Sequence, residues 1–251
     1  MPANNSVTRA ANILELLSQH RALTLTEISN MMGMPKASTS DILKALTDSQ
    51  LVEFANVRAK TYKIGVKLFL LGNAYLQGMN IVEIATPFME DVADRTKYVV
   101  FLAKLSEGRV LYLHKTSPVR DAMFVSLCQV GSTTNLTTSA LGKVILAHND
   151  WLQEQVFSSP LPKVTENSIT DIKVMEKEMK DILHMGYARD LYENDERITC
   201  FGFPVYDQHG RVVHAISITG TFHEQRDFEK EIELGLECAK SISLRLGFVK
   251  P

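Results

Sequence analysis

Cysteine is scarce in this chain and sits where it can staple nothing. Cys128, Cys200 and Cys238 are odd in number and far apart, so neither a disulfide framework nor paired zinc-ligand spacing can be drawn from them. Long apolar runs are also missing. The least charged stretch, Leu68–Val82, is broken by Asn73, Gln77 and Asn80 and is too short to span a bilayer. Glu15 interrupts what could have been the apolar segment of a secretory leader. A strong charge of one sign is lacking, since the formal net charge is −2 over 251 residues, which excludes a uniformly basic nucleic-acid coat. Repeats and low-complexity linkers are absent. The expectation is a soluble, cytoplasmic chain with no membrane partner.

What is present is enough apolar material, 45% of residues against 22% charged, to bury one large core or two modest ones. The charge is unevenly spread. Residues 1–64 hold seven Lys/Arg and five Asp/Glu, so the first quarter is weakly basic and the remainder acidic. Within that quarter Val7, Ala10, Ala11, Leu14 and Leu17 recur at helical spacing. Thr24 or Thr26 can cap a second helix ending near Met32, Gly33 permits a tight turn, and Pro35 suits the first turn of a third helix reaching about Ser49. Leu51, Val52 and Phe54, then Thr61, Tyr62 and Ile64, mark two strands around a basic loop. Three helices and a two-stranded ribbon predict a winged helix-turn-helix over residues 1–65. The small polar run in its third helix has no core to serve. Lys36, Ser38, Thr39 and Ser40 are therefore the candidates for contacts in a groove of double-stranded DNA, and Arg58, Lys60 and Lys63 for phosphate contacts from the wing.

From Val66 to Tyr75 the apolar residues wrap around the helix, with Leu68, Phe69, Leu70 and Leu71 consecutive. Such a helix must be covered on more than one side, which predicts a linker over residues 66–80 that packs against a second subunit. Residues 81–251 read as a second domain. A helix "IVEIATPFMEDVADRT" precedes the strands "YVVFLAKL" and "VLYLHK"; a second hairpin joins "CFGFPVY" to "RVVHAISITG" across Asp207-Gln208-His209-Gly210. Helices are expected near Ala140–Ala147, from about Thr170 to Gly186, and from about Arg226 to Leu246. Hairpins interleaved with helices predict an α+β class: an antiparallel sheet with flanking helices.

The order of these parts resembles the isocitrate lyase regulator (IclR) family of bacterial transcription factors. The likeness runs through "SVTRAANILELLS", "LTEISNMMGMPKAST", "SALGKVILA", "MGYARD" and "CFGFPVYDQHGRVVHAISITG". It implies a winged-helix reader, a linker helix and an effector domain related to the GAF and profilin-like folds. It also implies dimers or dimer pairs on palindromic operators, tuned by small organic molecules, with repression of a catabolic operon the commoner habit. The chain departs from the family pattern at Asp41, where Arg is usual in the reading helix, and at Gln50, where Gly is common before the wing. Phe201 and Phe203 stand where smaller residues are usual, and Arg197 where Gly is common, so the effector's size and shape stay open.

For the second domain, Ser139 can cap the following helix and leave the N–H groups of Ala140, Leu141 and Gly142 at its start, a setting that favours an anion. The family places its effector's carboxylate there. By the same resemblance the pocket acid falls on Asp190, the pocket thiol on Cys200, and paired hydroxyls on Ser217 and Thr219, which as residues two apart on a strand face the same way. The implied effector is a small organic acid such as a hydroxy or sugar acid, and no cofactor is called for. Two other readings are weighed: an enzyme using Cys200 and Asp190, and a metal-responsive regulator. Catalysis by thiol needs a positioned base. No local motif ties His114, His184, His209 or His214 to Cys200, and no His/Cys ligand spacing supports a metal.

Overall fold

The computed structural model describes residues 5–77, 80–118, 128–221 and 226–249. Gly78 and Met79, at the end of the expected linker, and the side chains of residues 73–77 lie outside the described residues. The chain divides into two compact units, Met1–Gly78 and Met79–Pro251.

The first unit runs α1 (Asn5–Gln19), β1 (Leu23–Thr24), α2 (Leu25–Met31), α3 (Lys36–Asp48), β2 (Val52–Asn56), β3 (Thr61–Ile64) and α4 (Val66–Gln77). Its core gathers Ile13 and Leu17 of α1, Ile28 of α2, and Leu43 and Leu46 of α3, spaced three or four apart so that each helix offers one stripe. The stripe on α1 centres on Ile13 and Leu17; Val7 and Ala11, expected on it, are exposed. Thr24 caps α2 by accepting from the Glu27 amide at 3.3 Å, while the Glu27 carboxylate accepts from the Thr24 amide at 2.7 Å. Gly33, at φ +60°, makes the turn into α3, and the Ser29 hydroxyl seals it by donating to the Met34 carbonyl at 2.7 Å. Pro35 precedes α3 as its capping residue instead of lying inside the first turn. The antiparallel sheet has the order β1-β3-β2, one strand more than the sequence pattern indicated. Gln50 takes φ +63°, a left-handed conformation that explains why glycine suits this position.

The second unit carries α5 (Ile81–Thr96), β4 (Val99–Ser106), β5 (Arg109–Thr116), β6 (Thr133–Thr134), α6 (Ala140–Ala147), α7 (Asp150–Val156), α8 (Ile172–Met185), β7 (Ala188–Leu191), β8 (Ile198–Tyr206), β9 (Val212–Thr221) and α9 (Phe228–Arg245). The strands form one antiparallel sheet of order β6-β5-β4-β9-β8-β7, so the fold is α+β as expected. Two cores lie on its opposite faces. One packs Phe101, Ala103 and Tyr112 under α6 and α8; the other packs Val100, Phe201, Phe203 and Ile218 under α5 and α9. Strand parity sorts them, since neighbours along a strand point to opposite faces. Asp171 caps α8, its carboxylate accepting from the Val174 amide at 3.1 Å, and Gly186 at φ +81° ends it. Just before α9, Arg226 is buried against Glu231 at 2.8 Å and lies over the Tyr98 ring at 4.6 Å, so this charge has a partner carboxylate and an aromatic face.

Candidate functional site

On α3 the residues Lys36, Ala37, Ser40, Asp41 and Lys44 are exposed, while Leu43 and Leu46 enter the core. Steps of four place Lys36, Ser40 and Lys44 on one free stripe. Ser38 is half-buried beside it. Thr39 is not on that surface: it is 0% exposed and donates to the Pro35 carbonyl at 3.1 Å, so its methyl and hydroxyl serve the start of the helix. Lys44, one turn after Ser40, was not singled out although the same spacing identifies it. Asp41 is exposed on this side of the helix. In the wing, the Asn56 carboxamide accepts from the Arg58 and Ala59 amides at 2.9 and 3.0 Å and shapes the loop. Arg58 and Lys60 are exposed at its tip. Lys63 lies on β3 and pairs with Glu53 across the ribbon at 3.0 Å, so its charge is already shared with a carboxylate.

The second unit holds a cavity of ≈ 30 Å³, with room for about one water molecule, and Ser139, Ala140, Leu141, Asp190, Cys200, Ser217 and Thr219 all line it. Sheet register explains the gathering. Asp190 faces Cys200, Cys200 faces Thr219, and Thr219 faces Val99, so the three candidates occupy one row across adjacent strands. The next row is Gly202, Ser217 and Phe101. Gly202 matters because a Cβ there would strike the Ala140 carbonyl; its absence lets β8 meet the start of α6 backbone to backbone. Phe201 and Phe203 take the opposite parity and fill the core under α9, so these bulky residues do not shape the cavity. Arg197 is also outside it, exposed and paired with Asp195 at 2.9 Å.

At the start of α6 the Ser139 oxygen accepts from the Gly142 amide at 3.1 Å and its hydroxyl donates to the Asn135 carbonyl at 2.7 Å. The amides of Ala140 and Leu141 make no hydrogen bond among the described residues, leaving two donors and the positive end of the helix dipole toward the cavity. Opposite, one oxygen of Asp190 accepts from the Glu193 and Asn194 amides at 2.8 and 3.3 Å. Burial pushes the Asp190 carboxyl up to about 7; those two amides and Lys143 oppose the rise, and the Glu193 charge adds to it. Burial also raises the thiols of Cys128 and Cys200 and the phenol of Tyr112, which therefore remain protonated at neutral pH. Apart from Asp190, about half protonated at neutral pH, and Asp195, whose carboxylate Arg197 holds in its charged form, the wall is neutral and rich in donors.

Phe101, Tyr112, Cys128, Asn194, Asp195 and Ile198 also line the cavity and were not among the candidates. Asn194 had a signal, lying four residues past Asp190 in "RDLYEND". Tyr112 had none, because a register shift in the β4–β5 pairing between Leu102 and Ala103 determines which face it meets. Among the described residues, no histidine lines the cavity, and burial holds the Cys200 thiol far from its thiolate form. Among the described residues, no group of three or more His, Cys, Asp or Glu is placed to hold a metal ion. Also among the described residues, no helix is long and apolar enough to cross a membrane.

Residues 6–55 match the family described as the IclR helix-turn-helix domain, and residues 73–244 the one described as bacterial transcriptional regulator IclR C-terminal. The chain is 28% identical over 252 residues to the DNA-binding transcriptional repressor YiaJ of Escherichia coli K12, an alignment covering 98% of this chain and 89% of that one. It is 29% identical over 247 residues to the glycerol operon regulatory protein of Streptomyces griseus, covering 96% of each. The crystal structure of the Agobacterium tumefaciens repressor BlcR shares the fold over the full length of both chains, with a TM-score of 0.85 at 23% identity. These relatives are regulators, and the catalytic reading of Cys200 and Asp190 is set aside with them. A DNA-reading unit followed by a domain that both fold and sequence place with the IclR C-terminal domains identifies the chain as a member of the IclR family of bacterial transcriptional regulators.

Proposed function

We propose that the chain is a cytoplasmic repressor of a catabolic operon, that α3 and the wing bind its operator, and that the cavity behind α6 binds the small organic acid controlling it. One observation carries the effector reading. Two unbonded amides at a helix start face a donor-rich wall made by Asp190, Cys200, Ser217 and Thr219. A carboxylate suits the amides. A protonated Asp190 and the hydroxyl pair, 3.3 Å apart, suit oxygens at the ligand's other end, as in a hydroxy or sugar acid. Because the cavity holds about one water, such a ligand enters only as wall side chains move.

Val66, Phe69, Leu70 and Leu71 on α4 are exposed apolar residues, which supports a homodimer or dimer of dimers assembled through this helix. Effector binding then favours one arrangement of the paired reading heads, in proportion to its differential affinity for the two states. The test is a footprint on the gene's own upstream DNA with and without glycerate, gluconate, pyruvate and 4-hydroxybenzoate. Protection that one acid abolishes supports the reading; protection that only an acid creates makes the protein an effector-dependent binder instead. No protected site under any condition removes the reading. In the same panel, a bound acid at about one hundred times its Kd stabilises the fold by about 2.7 kcal/mol.

A further inference from the structure

Lys143 lies on α6, one turn past the helix start that faces the cavity, yet its side chain is only 1% exposed. Its ammonium donates to Glu193 at 2.6 Å and to Glu178 at 3.2 Å. Glu178, on α8, retains access to water; Glu193, in the loop between β7 and β8, has almost none, and its second carboxylate oxygen has no partner among the described residues. The backbone of the same loop holds the cavity's acid, through the Glu193 and Asn194 amides on Asp190. Asn194 is fixed in turn, its side-chain oxygen accepting from the Thr138 and Thr134 hydroxyls at 2.9 and 3.3 Å. A continuous chain of contacts therefore runs from Lys143 through Glu193 to Asp190.

We propose that Lys143 is the positioning residue of the effector cavity: by holding Glu193 it keeps the 192–195 loop in its place in the cavity wall, beside the partly exposed Cys128 and Cys200, and Asp190 aimed at the ligand. Without the ammonium, Glu193 is a buried carboxylate with no counter-charge, which must take a proton or turn to water. Turning outward carries its backbone amide away from Asp190. Glu178 has no such constraint, so the loop and not α8 is the part that Lys143 controls.

This rests on the cavity being the effector site, but the three cysteines allow a test needing no effector. Cys128 and Cys200 line the cavity, whereas Cys238 is buried in the core on the other face of the sheet and reports general opening. Iodoacetamide labelling of the full-length protein, followed by mass spectrometry, reads all three. Lys143→Met is expected to raise labelling of Cys128 and Cys200 by about ten-fold with Cys238 unchanged, because only the local opening becomes easier. Glu193→Ala breaks the clamp from its other end and is expected to do the same; Lys143→Arg, which keeps the charge, is expected to restore protection. Unchanged cavity thiols in both Lys143→Met and Glu193→Ala would overturn the proposal, and so would a parallel rise at Cys238, which marks a general structural role. A failure of effector binding in the footprint would leave these rates as they are, so the two ideas fail separately.

Discussion

Asp190 ties the fold to pH in the direction opposite to a salt-bridged acid. With burial raising its carboxyl to about 7, the folded chain binds that proton more tightly than the unfolded chain does. Its contribution to stability is therefore fully present below about pH 4, shrinks as pH rises, and is gone above about pH 7, by up to about 1.4 kcal/mol per pH unit within that window. Asp190→Asn is expected to flatten this slope, which urea denaturation at pH 5 and pH 7 would measure; equal slopes in both proteins would release Asp190 from this role. Single residues were also where the sequence was least legible. Thr39 sits in a polar run that reads as surface, and only the turn of α3 against the core shows its hydroxyl folded back on Pro35. Phe201 and Phe203 stand out in the sequence by their bulk, but strand parity alone does not say which face is the cavity.

Among the elements, the wing separates two lysines that sequence treated alike. Lys60 is exposed at the loop tip while Lys63 pairs with Glu53. If Lys60 contacts a phosphate, Lys60→Ala is expected to reduce the slope of log affinity against log salt by about 0.9. Lys63→Ala is expected to change it less, since its charge is partly satisfied before DNA arrives. Fluorescence anisotropy with an operator fragment at several salt concentrations distinguishes them. At the β8–α6 crossing, Gly202→Ala drives a methyl into the Ala140 carbonyl and is expected to cost about 1–3 kcal/mol while displacing the Ala140 and Leu141 amides. Thermal melts and effector titration of that variant check both effects. Long periodic elements such as α5, α8 and the β8–β9 hairpin were readable because many residues repeat one pattern. The two-residue strands β1 and β6 were not, because their existence depends on a partner strand distant in sequence. The four-residue β7 and seven-residue α7 are similarly too short for periodicity to mark.

For the whole molecule, α4 leaves Val66, Phe69, Leu70 and Leu71 each more than half exposed, too much apolar surface for a helix with no cover. Phe69→Glu with Leu70→Glu is expected to shift the protein toward monomer in sedimentation velocity and to weaken operator binding with it. Retention of the parental sedimentation coefficient would mean that assembly uses another surface. The sorting of β8 by parity has a wider consequence. Odd-numbered Phe201 and Phe203 anchor the hydrophobic side under α9, whereas even-numbered Cys200 and Gly202 face the cavity side. If the cavity binds the effector, exchange of Ile198 or Cys200, the β8 residues lining it, retunes its chemistry while the scaffold behind them goes on folding from an untouched set. Divergence of chemical preference within one architecture is then inexpensive, and a laboratory library confined to Ile198 and Cys200, with Gly202 left intact, is expected to change selectivity far more often than it abolishes expression.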